Sequence, residues 1–272
     1  MIVAQITDLH LRRAGKPAYR VSETNTLAAR AVEALRALDP RPDLVVISGD
    51  LTDCGLPEEY EELTRLLARL PIPCALIPGN HDRREALLAA FPEAADGDGF
   101  IGFTRDLGPL RLIGLDTVVP GASHGVLCDT RLDALEAALS ARPDAPTLIF
   151  MHHPPFDCGI RHMDRIALCE GRERLAGIVQ ANPQVARICC GHHHRPVQAL
   201  FAGTLAQIAP SVAHQVLFDL SEESPALFAM EPPAFLLHTL IGDALVSHQV
   251  YVERYEGPYP FVLDADYPGR QA

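Results

Sequence analysis

Leu44-Val45-Val46-Ile47-Ser48-Gly49-Asp50-Leu51-Thr52-Asp53 is an aliphatic run that ends abruptly in glycine and two carboxylates. The run is rich in β-branched residues, the composition of a strand buried on both faces. The pattern recurs outward from it. Residues 3–6 read as a strand and precede Asp8-Leu9-His10, and residues 73–77 precede Gly79-Asn80-His81-Asp82. Residues 147–150 precede His152-His153-Pro154-Pro155, and residues 185–190 precede Gly191-His192-His193-His194. Between these strands lie helical patterns: Leu27, Ala31, Ala34, Leu35 and Leu38; Tyr60, Leu63, Leu66, Leu67 and Leu70; then residues 83–90, 132–139 and 172–180. Repeated βα units predict an α/β fold, in which ligands bind beyond the carboxyl ends of the strands. All five motifs are therefore expected on one rim.

Residues 92–109 are rich in glycine and aspartate and are expected as a connection, with a further strand at 110–115. From about residue 197 helical periodicity disappears. Short runs at 197–201, 205–208, 216–220, 235–240 and 245–251 are punctuated by Gly, Pro and Ser and predict a β-rich end.

The motifs supply what a pair of metal ions would ask for, two carboxylates, one amide oxygen and four imidazoles, with no thiolate in any of them. Oxygen and nitrogen donors of this kind suit iron, manganese, cobalt or zinc. Two metals about 3.5–4 Å apart usually share a carboxylate, and Asp50 is the candidate bridge. The Asp-x-His and His-x-His spacings would aim two side chains the same way from an extended segment. Asp53 is open to two roles, orienting His81 or capping the helix that follows Pro57.

The five motifs, in this order, resemble those of the calcineurin-like metallophosphoesterase superfamily over roughly residues 1–220. Residues 160–164 and the segment Glu231-Pro232-Pro233 are similar to the bacterial class III phosphodiesterases, which include glycerophosphodiesterases and cyclic-nucleotide phosphodiesterases. The resemblance implies a four-layer αββα sandwich of two mixed sheets, made by residues 1–220, with a β-rich cap or oligomerisation extension at 221–272. It implies that Asp8, His10, Asp50 and His194 hold one metal ion, and that Asn80, His152 and His192 hold a second that shares Asp50. His152 rather than His153 matches the family ligand, and His193 is expected to point outward or to lie behind the ligands. The implied reaction is hydrolysis of a small phosphodiester by metal-bound hydroxide, with His81 beside Asn80 against the phosphate and Asp53 behind His81.

Composition bounds the alternatives. The chain has 272 residues, 48% hydrophobic and 21% charged, the profile of a folded globular protein. The net charge of −12 makes nucleic acid a poor partner. No long apolar run suggests a membrane span and no leader is legible at the start, and seven cysteines without paired spacing suit a reducing compartment, so a cytoplasmic protein is expected. Apolar residues Phe235, Leu236, Leu237, Leu240, Val246, Val250, Tyr251 and Phe261 predict a homo-oligomer. The absence of tryptophan tilts the substrate towards glycerophosphodiesters or broad specificity, with 3′,5′-cyclic nucleotides as the alternative and a non-catalytic scaffold as a distant one. Protein phosphatases of the superfamily carry arginine and glycine after the second aspartate, where this chain has Cys54-Gly55. The segment 156–170, with Arg161, His162, Asp164 and Arg165, is placed to meet the substrate's second group or to be a solvated loop. His214 and His248 resemble positions that in relatives lie near the entrance of the site, but a structural role is the first expectation for each.

Overall fold

The computed structural model describes residues 1–261. In chain order the elements are β1 (Ile2–Ile6), α1 (Thr24–Arg36), β2 (Leu44–Ser48), α2 (Pro57–Leu67), β3 (Cys74–Ile77), α3 (Arg84–Ala90), β4 (Phe103–Leu107), β5 (Leu110–Leu115), β6 (Gly125–Val126) and α4 (Asp129–Ser140). Then follow β7 (Thr147–Met151), α5 (Arg161–Asp164), β8 (Leu168–Glu170), α6 (Arg172–Ala181), β9 (Val185–Cys190), β10 (Val197–Phe201), β11 (Thr204–Ile208), β12 (Gln215–Val216), β13 (Phe228–Ala229), β14 (Ala234–Ile241) and β15 (Ala244–Tyr251). One sheet has the order β15-β14-β1-β2-β3 and the other β10-β11-β9-β7-β5-β4. Both are mixed: β1, β2 and β3 run parallel, as do β5, β7, β9 and β11, and the outer strands β14, β10 and β4 are antiparallel to their neighbours.

Strand alternation builds the layers, because successive side chains point to opposite faces. Val3, Leu44, Val46, Ala75 and Ile77 from the first sheet meet Leu110, Leu112, Leu148 and Phe150 from the second in one core between the sheets. The intervening residues Ala4, Ile6, Val45 and Ile47 face α1 and α2, whose Ala28, Ala31, Val32, Leu35, Tyr60 and Leu63 form a three-and-four-residue stripe. Ile113, Leu115, Ile149 and Met151 likewise face Leu132, Leu135 and Leu139 of α4 and Leu175, Ile178 and Val179 of α6. The result is the expected αββα arrangement.

Three features differ from expectation. Residues 103–107, inside the expected connection, form β4; its middle residues are exposed, so an edge strand here carries Thr104, Arg105 and Asp106 and no aliphatic run. Only Val216 of the run 216–220 lies in a strand. The end of the chain supplies β14 and β15 to the first sheet itself, Ile2 pairing with Thr239 and Gln5 with Leu236. Phe235 and Leu236 are consequently buried there and unavailable to a partner, while Tyr251 and Phe261 are exposed. The part of the expected extension at 262–272 lies outside the described residues. No helix of the described residues is long and apolar enough to cross a membrane.

Candidate metal centre

β1, β2, β3, β7 and β9 each end just before one of the five motifs, and the loops are laced together there. The Asp8 amide donates to the Gly49 carbonyl (3.0 Å), the His10 amide to the Asp50 carbonyl (2.9 Å) and the Gly191 amide to the His152 carbonyl (3.0 Å). Close approach demands glycine at two positions. A Cβ on Gly49, where φ is 103°, would stand 2.2 Å from His152 Nδ1, and one on Gly79 would stand 2.2 Å from Asp50 Oδ1.

Backbone conformation corrects one expectation. Asp8, His10, Asp50, His192 and His194 have φ of 55°, 46°, 48°, 72° and 53°. Paired side chains in Asp-x-His and His-x-His converge because each residue sits in the left-handed region, not because an extended segment alternates. Non-glycine residues held there carry local strain of order 1–3 kcal/mol each, and such strain concentrates at functional sites.

Asp8, His10, Asp50 and His194 place one donor atom each within 4.8 Å of one another, all buried. His10 Nδ1 donates to Asp53 Oδ1 (3.1 Å) and His194 Nδ1 to the His214 carbonyl (2.8 Å). These partners fix the tautomers, so each ring turns an Nε2 lone pair inward. The two Nε2 atoms are 3.1 Å apart. Asp50 Oδ2 lies 3.6 Å from His10 Nε2 and Asp8 Oδ1 3.3 Å from His194 Nε2. Lone pairs and carboxylates packed this closely in a buried site fit a bound cation, and the donor set is of the right chemistry for one.

Asp50 also faces the second group. His152 Nδ1 donates to the Ser48 carbonyl (2.9 Å), and its Nε2 lies 3.2 Å from Asn80 Oδ1 and 3.4 Å from Asp50 Oδ2. His192 Nε2 donates to the Ile166 carbonyl (3.0 Å), leaving Nδ1 free, and its ring centre is 5.0 Å from that of His152. His153 is different: Nδ1 is bonded by Thr117 Oγ1 (2.7 Å) and Nε2 donates to the Ser123 carbonyl (3.2 Å), which leaves it no spare donor.

Titration follows the same geometry. Burial works against charge on Asp50, yet the neighbouring His152 and His81 hold its carboxyl well below the usual range. Burial likewise opposes the charge on His152, and Asp50 and Asp8 overcome it, lifting it to about 9. The two carboxylates thus create a field that draws positive charge to this point. His214 goes the other way, pushed far down by burial and by the rings of His194 and His10.

Asp53 touches both rings assigned to its neighbourhood. Its carboxylate orients His10, its Oδ2 accepts from Arg12 (2.9 Å), and its carbonyl accepts from His81 Nδ1 (2.7 Å). The start of α2 is served instead by Glu59, whose Oε2 accepts from the amides of Cys54 (2.9 Å) and Leu56 (3.3 Å). His81 lies next to Asn80 with its amide on Asp50 Oδ1 (2.9 Å) and its ring 4.7 Å from that of His10.

Some contributors were not legible. Asp82, the last residue of its motif, accepts from the amides of Leu51 (3.0 Å), Thr52 (3.1 Å) and Gly79 (2.9 Å) and from Tyr60 Oη (3.1 Å), tying two rim loops together. His214 carries no ligand spacing yet sits 4.8 Å from the His194 ring, with Tyr19 edge-on at 5.3 Å and Phe228 tilted at 4.9 Å against it. His248 lies on β15 opposite Leu237, on the edge of the first sheet. In the segment 156–170, Asp164 folds back onto the amides of Cys158 and Gly159, and Arg161 pairs with Glu222 (3.0 Å).

The profile of the calcineurin-like phosphoesterase family matches residues 1–196. A protein of Arcobacter nitrofigilis named probable glycerophosphodiester phosphodiesterase is 39% identical over 264 residues, 96% of this chain and 97% of that one. A probable cyclic nucleotide phosphodiesterase of Rhodopseudomonas palustris is 35% identical over 257 residues, 93% of each chain. A dimetal phosphatase from Danio rerio has a TM-score of 0.67 at 18% identity, covering 93% of this chain and 98% of that one, a likeness of fold.

Proposed function

We propose that this chain, which belongs to the calcineurin-like phosphoesterase family, is a metal-dependent hydrolase of small phosphodiesters. Asp8, His10, Asp50 and His194 would hold one ion, and Asn80, His152 and His192 a second that shares Asp50. The observation that carries this is Asp50 standing between two inward-facing imidazoles, 3.6 Å from His10 Nε2 and 3.4 Å from His152 Nε2. Iron, manganese, zinc and cobalt all suit the donors. Bound metal ions supply Lewis acidity, which makes water nucleophilic near neutral pH and offsets charge on phosphoryl oxygens.

The protein's own groups do the rest. Asn80 and His81 line the rim where the phosphate sits. With its Nδ1 committed to the Asp53 carbonyl, His81 keeps Nε2 for a phosphoryl oxygen or for the leaving alkoxide, where it acts as hydrogen-bond and proton donor. Asp53 holds both His10 and His81 and is a positioning residue.

Glycerophosphodiesters are the first substrate class, supported by the name of the Arcobacter relative. A second reading, 3′,5′-cyclic nucleotides, is favoured by one feature: Tyr19, 49% exposed, packs edge-on against His214 and at a tilt against Phe228, close to His10, and offers an aromatic ring to a base. The chain works in the cytoplasm, in keeping with seven free cysteines. It forms a dimer or higher oligomer through the edge strand β15 and the exposed Tyr251 and Phe261; a stable monomer in sedimentation at micromolar concentration would refute that.

The activity is tested on metal-stripped protein resupplied with manganese, iron, zinc or cobalt. Bis(p-nitrophenyl) phosphate should turn over faster than p-nitrophenyl phosphate, and glycerophosphodiesters faster than cyclic nucleotides. No metal-dependent turnover of any of them would point to the scaffold reading.

A further inference from the structure

A second set of donors stands beside the rim and shares none of the ligands proposed above. Cys158, Asp164 and His193 place one donor atom each within 4.8 Å of one another. They come from three separate places: the loop after Pro155, the end of α5, and the position between His192 and His194. Asp164 is already anchored, since Oδ1 accepts from the Cys158 amide (2.7 Å) and Oδ2 from the Gly159 amide (3.0 Å), and each oxygen keeps a further lone pair.

His193 makes this more than a cluster. It is completely buried, and neither ring nitrogen has a hydrogen-bond partner. A backbone group of Met163 is near but outside hydrogen-bond geometry. A buried imidazole with both nitrogens unmet is costly, and its neighbour His153, equally buried, has both nitrogens satisfied. A cation on the nitrogen that faces Cys158 and Asp164 removes one of the two deficits.

We propose that Cys158, Asp164 and His193 bind a zinc-class divalent cation, as a site separate from the binuclear centre. One sulfur, one nitrogen and one oxygen leave a fourth tetrahedral position for water, and a thiolate selects zinc or cobalt over magnesium or manganese. On binding, the Cys158 thiol proton passes to solvent, for which the half-buried side chain has access. The ion pins the segment 158–164 to the loop that carries His192 and His194. Just after that segment, the chain already leans on the same loop through the Ile166 carbonyl and His192 Nε2.

The test uses cobalt(II) on the metal-stripped full chain. None of the ligands proposed for the binuclear centre is a thiol, so a near-ultraviolet thiolate-to-cobalt band reports this site alone. The band is expected in the wild-type protein, to persist in Cys54→Ser, whose thiol is the one nearest Asp53, and to vanish in Cys158→Ser with an unchanged circular dichroism spectrum. Zinc content should fall by one equivalent in Cys158→Ser. No band at saturating cobalt, or a band that survives Cys158→Ser, overturns the proposal. Either result leaves metal-dependent phosphodiester turnover unaffected, so the two readings fail separately.

Discussion

His238, between the two sheets, and His10, at their carboxyl ends, are both buried histidines, 0% and 1% exposed. His238 sits in regular strand β14, and both its nitrogens are met. Ser247 Oγ, itself bonded by Arg187, donates to Nδ1 (2.7 Å), and Nε2 donates to Gln5 Oε1 (3.2 Å). Gln5 Nε2 then donates to Ser48 Oγ (2.9 Å) and the Cys190 carbonyl (3.0 Å), so the chain of bonds spans both sheets. His10 instead sits at φ 46° and aims a lone pair at another lone pair and a carboxylate. Burial, with help from the Arg187 charge, pushes His238 down to about 3, whereas close carboxylates lift the equally buried His152 to about 9. A buried polar group is structural when its partners close the account within the protein. It marks a ligand site when they leave charge and lone pairs unmet.

The largest expected contrast is in turnover. Asp50→Asn should lower metal-dependent hydrolysis of bis(p-nitrophenyl) phosphate by more than about a hundredfold, beyond the upper end of what partners behind a ligand usually cost. His238→Gln should leave it unchanged. Full activity in Asp50→Asn would erase the distinction.

Stability should show the reverse. His238→Ala leaves Gln5 and Ser247 short of a partner and opens a void, a loss of about 2–4 kcal/mol in urea unfolding. The extra stability gained on adding metal should survive in this variant and shrink in Asp50→Asn. Equal metal-induced gains in both would break the comparison.

Asp53→Asn keeps the shape but removes the charge behind His10. Metal affinity measured by titration calorimetry should drop by about 10–100-fold, the range for such partners. An unchanged affinity would reduce Asp53 to packing.

The smallest effect is a slope in pH. The folded-state pKa of His238, about 3, lies below the ordinary 6.5, so the unfolded chain takes up a proton that the folded protein refuses. Its contribution to stability is complete above pH 6.5 and is lost as pH falls from 6.5 to 3. Urea midpoints of metal-stripped protein should fall across that window, and less steeply in His238→Gln. A slope identical in the variant would show that other groups carry it.

Much of the fold was legible because β2 and β7, and β1 but for its first residue, are buried on both faces and are dominated by apolar residues. Amphipathic α1 and α2 announce themselves by spacing. β4 was not, since an exposed edge strand needs no aliphatic signature. Nor was the place of β14 and β15: β14 pairs with β1 through residues more than two hundred positions away and brings β15 with it, and local periodicity carries no such information. At the site, Asp8, His10, Asp50, Asn80, His152, His192 and His194 were legible as donor types in a fixed order. Asp82 and His214 were not, because their roles are hydrogen bonds and ring contacts made across loops.

Chain order and residue type alone establish that donors follow strands, that two carboxylates and several imidazoles are among them, and that no thiol belongs to the motifs. They cannot say which nitrogen of a histidine is free. That depends on what the other nitrogen meets: a carboxylate for His10, the Ser48 carbonyl for His152, the Ile166 carbonyl for His192, the His214 carbonyl for His194, and nothing for His193. Most of these partners lie tens of residues or more away in the chain, so packing of the two sheets and their loops turns a list of histidines into candidate ligands, supports and an unmet ring.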